Sequence, residues 1–423
     1  MANGIHDVLI IGGGLVGASL ACALDGRGLD VALVESEPPR ASVIPDSDAR
    51  SLALAAASLN ALDAIGVLRH LPTQPTSILR IHVSRRGDFG AVSLRAEDYG
   101  RAAFGGVVPA PSLGIALQTR LLELRGFSHY TGARLVALRE TDDVREADIA
   151  RDGETTTLRA RLLVGADGTT SFVRDALDIG ASSHDYAQHL FAGSVRVARP
   201  ADGQAWERFT DDGPMALLPQ ASGPHSSGSY GCICTVPSAH AVEIAALDNA
   251  GFIALLQERF GWRAGRFISV GRRVGYPLRQ LVAERLTASR AVIMGNAAQT
   301  LHPIGAQGFN LGLRDALSLA ELVRDARAND AGSAALLDAY AQRRVEDRGE
   351  TLRFSDGLAR ITSNTAPPLR LLRSLAMGAL DAMPDLRASL VGGAMGFRGV
   401  VPKLARDARA AIKLPVRGEP VEP

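Results

Sequence analysis

The stretch Asp7-Val8-Leu9-Ile10-Ile11-Gly12-Gly13-Gly14-Leu15-Val16-Gly17 decides how the rest of the chain is read. A short apolar run that stops at a glycine cluster is a strand buried on both faces. Leu15 to Leu24 reads as a helix rich in small residues, ended by Gly26 and Gly28. Val31-Ala-Leu-Val34 is a second buried strand. Strand, helix and strand within about 30 residues make a right-handed crossover with a parallel pair. Gly12, Gly14 and Gly17 fit G-x-G-x-x-G across the first turn. Gly12 permits the tight turn, Gly14 lets a pyrophosphate approach the backbone, and Gly17 allows close helix–strand packing. The helix N-terminus then faces the phosphates. Glu35 ends the second strand about 20 residues on, where a carboxylate accepts both ribose hydroxyls. The acid argues against a 2′-phosphate, so the expected dinucleotide is NAD or FAD.

Composition narrows the rest. The 423 residues carry 46 Lys and Arg against 45 Asp and Glu, so no global basic field points to nucleic acid. The length suggests two to three domains. The three cysteines exclude a disulfide scaffold and leave no metal-ligand spacing, which fits a reducing, cytoplasmic setting. Cys232 and Cys234 read as core. Val8 to Leu24 lacks charge, but four glycines interrupt it and Asp7 and Asp25 bracket it, so it is not read as a membrane span.

Further along, Arg50 to Gly66 reads as helical, and 132–160 as a polar hairpin. From about 185 to 280 short strand-like runs dominate, with a helix near 240–260. They suggest an antiparallel sheet. Two more stretches carry chemistry. Gly165-Ala-Asp167-Gly168-Thr-Thr-Ser171-Phe-Val-Arg174 follows a buried strand. Gly295-Asn296-Ala-Ala-Gln-Thr-Leu-His302-Pro303-Ile-Gly305-Ala306-Gln307-Gly308-Phe309-Asn310-Leu-Gly312-Leu-Arg-Asp315 follows another and opens a helix. Glycines there expose backbone N–H groups at a helix N-terminus, and such a nest stabilises the negative charge of a reduced flavin. A nicotinamide enzyme does not need it.

With these three fingerprints in order, the chain resembles the single-component flavoprotein aromatic hydroxylases, the para-hydroxybenzoate hydroxylase class. Within it, the chain looks most like the ubiquinone-biosynthesis hydroxylases of the 2-octaprenyl-6-methoxyphenol (UbiH-type) branch. Gly295 to Pro303, Gln307 to Gly312, Ile81 to Ser84, Ala96 to Tyr99, Glu207 to Thr210, Gly213 to Pro219 and Phe260 to Arg263 carry that closer match. Two departures stand out. Asn296 replaces the acid usual in the wider class, and Gly305-Ala306 reverses the branch's usual Ala-Gly order.

The resemblance implies an α/β fold: a Rossmann-like FAD-binding domain (1–70, 105–180 and 281–360) with an inserted antiparallel-sheet substrate domain (71–104 and 181–280). A C-terminal helical segment (361–423) follows. It implies FAD as cofactor and NAD(P)H as co-substrate. Gly12, Gly14 and Gly17 would hold the pyrophosphate and Glu35 the adenosine ribose. Arg50 would reach the FAD phosphates or flavin edge, and Arg120 would make a second polar contact. Asp167 and Gly168 would lie near the pyrophosphate and serve NAD(P)H. Asn296 would take the ribityl chain. Gly305, Gln307, Gly308 and Asn310 would frame the isoalloxazine, with Pro303 facing the reaction zone. His302 is the candidate catalytic base. Phe209, Met215 and Leu217 are candidates for lining the substrate pocket, as Trp206 is.

The implied reaction is a monooxygenation of a hydrophobic prenylated phenol through a flavin C4a-hydroperoxide. Two alternatives stay open: the same chemistry on a soluble phenol, and a low-turnover FAD-binding subunit of a quinone-synthesis complex. The tail from Thr365 to Lys413 holds eight basic against three acidic residues, interleaved with leucines. It reads either as a peripheral contact with the inner membrane surface or as a helical layer packed on the FAD domain. Other ubiquinone-biosynthesis proteins are further candidate partners.

Overall fold

A computed structural model of the protein describes residues 4–26, 28–37, 50–88, 90–141, 143–220, 228–326, 330–363, 391–393, 395–397 and 399–406. The chain opens with β1 (Ile5–Ile11), α1 (Leu15–Leu24) and β2 (Val31–Glu35). Then come β3 (Ser51–Ala55), α2 (Ala56–Ala64), β4 (Thr76–Ile78), β5 (Arg80–Arg85), β6 (Ala91–Arg95), β7 (Gly105–Pro109) and α3 (Ala110–Leu121). A second return to the first sheet brings β8 (Phe127–Thr131), β9 (Arg134–Glu140), β10 (Arg145–Arg151), β11 (Glu154–Gly165) and the short α4 (Phe172–Ala176). The long strands follow: β12 (Ala181–Val197), β13 (Gln204–Thr210), β14 (Gly213–Gln220) and β15 (Ser229–Pro237). Helices α5 (Ala241–Ala246) and α6 (Asn249–Phe260) precede β16 (Phe267–Ala283). The last part holds β17 (Thr287–Ala288), β18 (Ala291–Ile293), β19 (Gln299–Thr300), α7 (Gln307–Asp325) and α8 (Ala334–Ser363).

The first sheet has the order β17-β18-β11-β1-β2-β8, with β10 and β9 continuing from β11 as an antiparallel meander. Its centre is parallel: β1 pairs with both β2 and β11. Val8, Leu9 and Ile10 are fully buried, as a central parallel strand requires. Leu20, Leu113, Leu317 and the meander residues Ala147 and Ile149 join the same core. The second sheet has the order β19-β16-β12-β15-β14-β13-β5-β6 and is antiparallel apart from the β13–β5 pair. β3, β7 and β4 form a small third sheet between them.

One local expectation is corrected. Arg50 to Gly66 is not one helix: Ser51 to Ala55 form β3 and pair with β7, Ser51 opposite Pro109 and Ala55 opposite Gly105. The Ala- and Leu-rich stretch has helical propensity, and the partner strand overrides it. The tail expectation falls largely on 364–390 and 407–423, outside the described residues. Of what is described, Val391 and Met395 are buried, and Ala405 packs into the main core. Lys403 is ion-paired with Glu321 and Asp325.

The two ends of the fold meet at α1. A Cβ at Gly17 would overlap the Gly12 carbonyl oxygen, so the helix rides directly on the turn that feeds it. One residue earlier, Val16 sits against Gly295 and Gly312, where added Cβ atoms would lie 3.1 and 2.8 Å from it. Gly17→Ala should therefore cost about 1–3 kcal/mol through overpacking. Lower thermal stability and lower FAD content on purification are the expected readouts.

Candidate active site

The cofactor cleft is built where β1, β11 and β18 end together. Gly12 has φ +103° and faces the Ala166 carbonyl closely enough to exclude any side chain. Gly14 is the N-cap of α1 and offers no side-chain cap, so the first-turn N–H groups are left for a ligand. Space beside Gly14 is open: nothing lies within 4 Å of a Cβ placed there. Glu35 stands at the end of β2, where its Oε2 accepts from the Gly13 N–H at 2.7 Å and its Oε1 from the Glu37 N–H at 2.8 Å. The carboxylate is thus held at the mouth of the turn. These features fit the pyrophosphate and ribose of a dinucleotide.

Asp167 and Gly168 lie in the turn after β11. Asp167 accepts from Ser171 Oγ at 2.5 Å and from the Val173 N–H at 3.0 Å, so it fixes the start of α4. Gly168 has φ +89°. Arg174, to which the sequence assigned no role, is 7% exposed and donates to the Thr169 and Ala297 carbonyls. It ties this turn to the loop that follows β18.

That loop carries the remaining candidates. Asn296 is exposed and free to meet a ribityl chain. Gly305 and Ala306 are consecutive left-handed residues, φ +69° and +52°. Ala306 therefore carries a Cβ where glycine is favoured, at about 1–2 kcal/mol. Gly305 is exposed, Gly308 has open space beside it, Pro303 is half-buried, and Gln307 donates to the Gly305 carbonyl. Below the loop runs a buried charge network. Asp315 accepts from Arg344 at 2.7 Å and from Gln299 at 2.7 Å. Asp347 accepts from Arg314 and Arg344, each at 2.8 Å. Arg348 donates to Gln299 and to the Ala283 carbonyl. Both aspartates are paired, and the network locks α7 to α8 under the loop. The two arginines hold the Asp347 carboxyl below its usual range, against the effect of burial.

Residues 6–355 match the FAD binding domain family. Among curated proteins, ubiquinone hydroxylase UbiL of Rhodospirillum rubrum is 37% identical over 96% of this chain and 93% of its own length. The 3-demethoxyubiquinol 3-hydroxylase of Escherichia coli is 29% identical over 94% of this chain and 100% of its own. This chain belongs to the FAD-dependent ubiquinone hydroxylases. The solved p-nitrophenol 4-monooxygenase PnpA of Pseudomonas putida DLL-E4 has the same fold, with a TM-score of 0.74 at 18% identity, covering 93% of this chain and 98% of that one. The protein is an FAD-dependent aromatic hydroxylase, of a family that uses NAD(P)H as co-substrate.

Several side chains of the hydroxylase lie elsewhere than the sequence suggested. Arg120 bonds Asp25 at 2.5 Å and the Ile65 carbonyl at 3.0 Å. Asp25 is the C-cap of α1, so Arg120 sits at the opposite end of the helix from the phosphate turn. The Asn310 side chain is fully engaged. Its Oδ1 accepts from the Ala55 N–H and Ser58 Oγ, and its Nδ2 donates to the Ala53 and Ala306 carbonyls. It staples the loop to β3 and α2 instead. Arg50 is exposed at the start of β3. The next residue, Ser51, accepts from Gln220 at the end of β14. Arg50 therefore lies at the seam between the small third sheet and the second sheet.

Parity separates the three pocket candidates. Met215 and Leu217 pack with Phe252, Leu256 and Phe260 under α6, on the outer face of the second sheet. Phe209 is on the other face, in contact with Ile304 of the loop after β18. Cys232 and Cys234 are buried with the outer core. His302 is 1% exposed, and both its ring nitrogens are engaged. Nδ1 accepts from the Ile304 N–H at 3.3 Å, which makes Nε2 the donor to Gln188 Oε1 at 3.0 Å. Its ring packs edge-on against Tyr186. Burial lowers its pKa from 6.5 to about 4. Its ring is neutral near pH 7 and, with both nitrogens engaged, it pins the loop to β12.

This has a pH signature. Between pH 6.5 and 4 the unfolded chain protonates His302 and the folded one does not. Its contribution is fully present above 6.5 and is lost as pH falls toward 4, by up to about 3 kcal/mol. Chemical denaturation of His302→Gln over that range should show a shallower pH slope than the unmutated chain.

Proposed function

We propose that this hydroxylase acts on a polyprenyl 6-methoxyphenol, inserting oxygen para to the phenol hydroxyl on the way to a benzoquinol. The observation that carries it is the apolar inner face of the second sheet. Val83, Phe209 and Ile304 cluster beside the flavin loop, and Leu190, Ala192, Ile233 and Leu278 continue the face along the sheet. A prenyl chain is matched by such a surface, and burying it there contributes about 25 cal/mol per Å². The relatives named as ubiquinone hydroxylases support the same substrate class.

Bound FAD supplies electron transfer from NAD(P)H and activation of O₂. NAD(P)H, a proton and O₂ are consumed; one oxygen atom enters the ring and the other leaves as water. The chain binds, orients and keeps water out. Gly12, Gly14, Gly17 and Glu35 hold the adenosine diphosphate end. Asn296 takes the ribityl chain, and the amides around Gly305 and Gly308 meet the flavin ring. Asp167 and Gly168 border the path for NAD(P)H. The second reading, a soluble phenol, draws on fold alone, through the likeness to p-nitrophenol 4-monooxygenase.

Contact with an anionic membrane through the basic tail accompanies the proposal. Among the described residues no helix is long and apolar enough to cross a bilayer. Lys403 is already paired, and the Arg406 guanidinium donates to the Val401 carbonyl. Vesicles of anionic lipid at low salt should pellet the full chain, and failure to do so removes this part. The substrate test is aerobic NAD(P)H oxidation by FAD-loaded protein with and without 2-prenyl-6-methoxyphenol in detergent. A several-fold rise with a product heavier by one oxygen is expected. An unchanged rate with full flavin content overturns the substrate assignment.

A further inference from the structure

Side chains alternate along a strand, so Ala205, Glu207 and Phe209 of β13 share one face. Ala205 packs with Leu218, Phe104 and Met395 in one apolar cluster. Phe209 packs with Ile304 of the flavin loop and with Val83 and Tyr186 in another. Glu207 stands in the gap between the two and belongs to neither. Its cross-strand neighbours are Val83 on β5 and Ala216 on β14, both apolar. The side chain is half-buried. Among the described residues it has no hydrogen-bond or ion-pair partner.

A carboxylate without a partner on an apolar inner face is costly. The fold offers it no compensation. Arg85, the charged residue of β5 on that face, is taken by Asp211. β14 carries no charge. The segment of α8 beyond the buried network holds Glu350, Arg353 and Asp356. None of these charges moves the Glu207 carboxyl; burial alone pushes it up to about 8. An uncompensated carboxyl on the inner face, beside the strand position that touches Ile304, is a candidate functional position. Phe209, the residue that touches the flavin loop, is two strand positions away, about 7 Å. That is close to the span of a phenol ring.

We propose that Glu207 is the catalytic residue that takes the proton from the phenol hydroxyl of the substrate. The phenol O–H bond breaks and a carboxyl O–H bond forms. The electron pair stays on the phenolate oxygen and is delocalised to the ring carbon that is to be hydroxylated. Glu207 later returns its proton to solvent. The inference rests on the phenol reading given under Proposed function, and it extends that reading to a named base.

The test compares the unmutated protein with Glu207→Gln, both FAD-loaded. With 2-prenyl-6-methoxyphenol, hydroxylation by the unmutated enzyme should rise with pH through an inflection near 8 and then level off. Glu207→Gln should lose the inflection and fall about 10²–10⁴-fold at high pH, with FAD content unchanged. A variant within twofold of the unmutated enzyme and with the same profile overturns the proposal. A second readout needs no turnover and no variant. The 4-nitro analogue of the phenol is blocked at the reacting carbon and absorbs visibly when ionised. Bound to the unmutated protein, it should titrate in two coupled steps. A one-step titration overturns the proposal, whatever becomes of the variant. Absence of hydroxylation by the unmutated enzyme with a two-step titration would instead overturn the reaction and leave the proton exchange standing.

Discussion

Val16 occupies the point where two segments far apart in sequence meet. It lies on the first turn of α1, and only the missing side chains of Gly295 and Gly312 leave room for it. Any bulk at these positions pushes the phosphate turn away from the flavin loop. The spacing between the turn after β1 and the loop after β18 depends on that contact. Packed interiors do not deform gradually, so this spacing is set by a few atoms.

Burying charge secures the same region from below. Asp315, Arg314, Arg344 and Asp347 are each 3% exposed or less. Such a network adds little net stability over an apolar core, but losing one member leaves another charge unpaired at a cost of about 3–5 kcal/mol. It thereby holds α7 and α8 in one arrangement, and with them the strained Gly305-Ala306 turn. Asn310 and His302 work in the same direction from the two flanks, one stapled to β3 and α2 and the other to β12. The loop after β18 is exposed at Asn296 and Gly305 and anchored through His302, Gln307 and Asn310.

Much of the site was legible because its glycines must be glycines. Gly12 and Gly17 are read from a pattern whose physical causes, a positive φ and a close carbonyl, operate over a handful of residues. The partners of Asn310 and Arg120 are harder to read, because a polar residue near a motif has several partners within reach. Their commitments to Ser58 and Asp25 depend on helices that the local sequence does not orient. Met215, Leu217 and Phe209 show the sharper limit. Met215 and Leu217 lie on one strand and Phe209 on its neighbour, and a shift of one residue in parity moves a side chain from the inner face to the outer.

The βαβ core, the glycine turn after β1, the acid at the end of β2 and membership of the flavin hydroxylases can all be read along the chain. These follow from short-range patterns of apolar, small and acidic residues. Packing settles which face of the second sheet looks at the loop after β18, that His302 is sealed, and that Glu207 is left on the inner face with no partner among the described residues. Those outcomes depend on what covers each face. α6 buries one side of the second sheet, while the FAD-binding part of the chain lies against the other, and no local sequence signal states which covering belongs to which side.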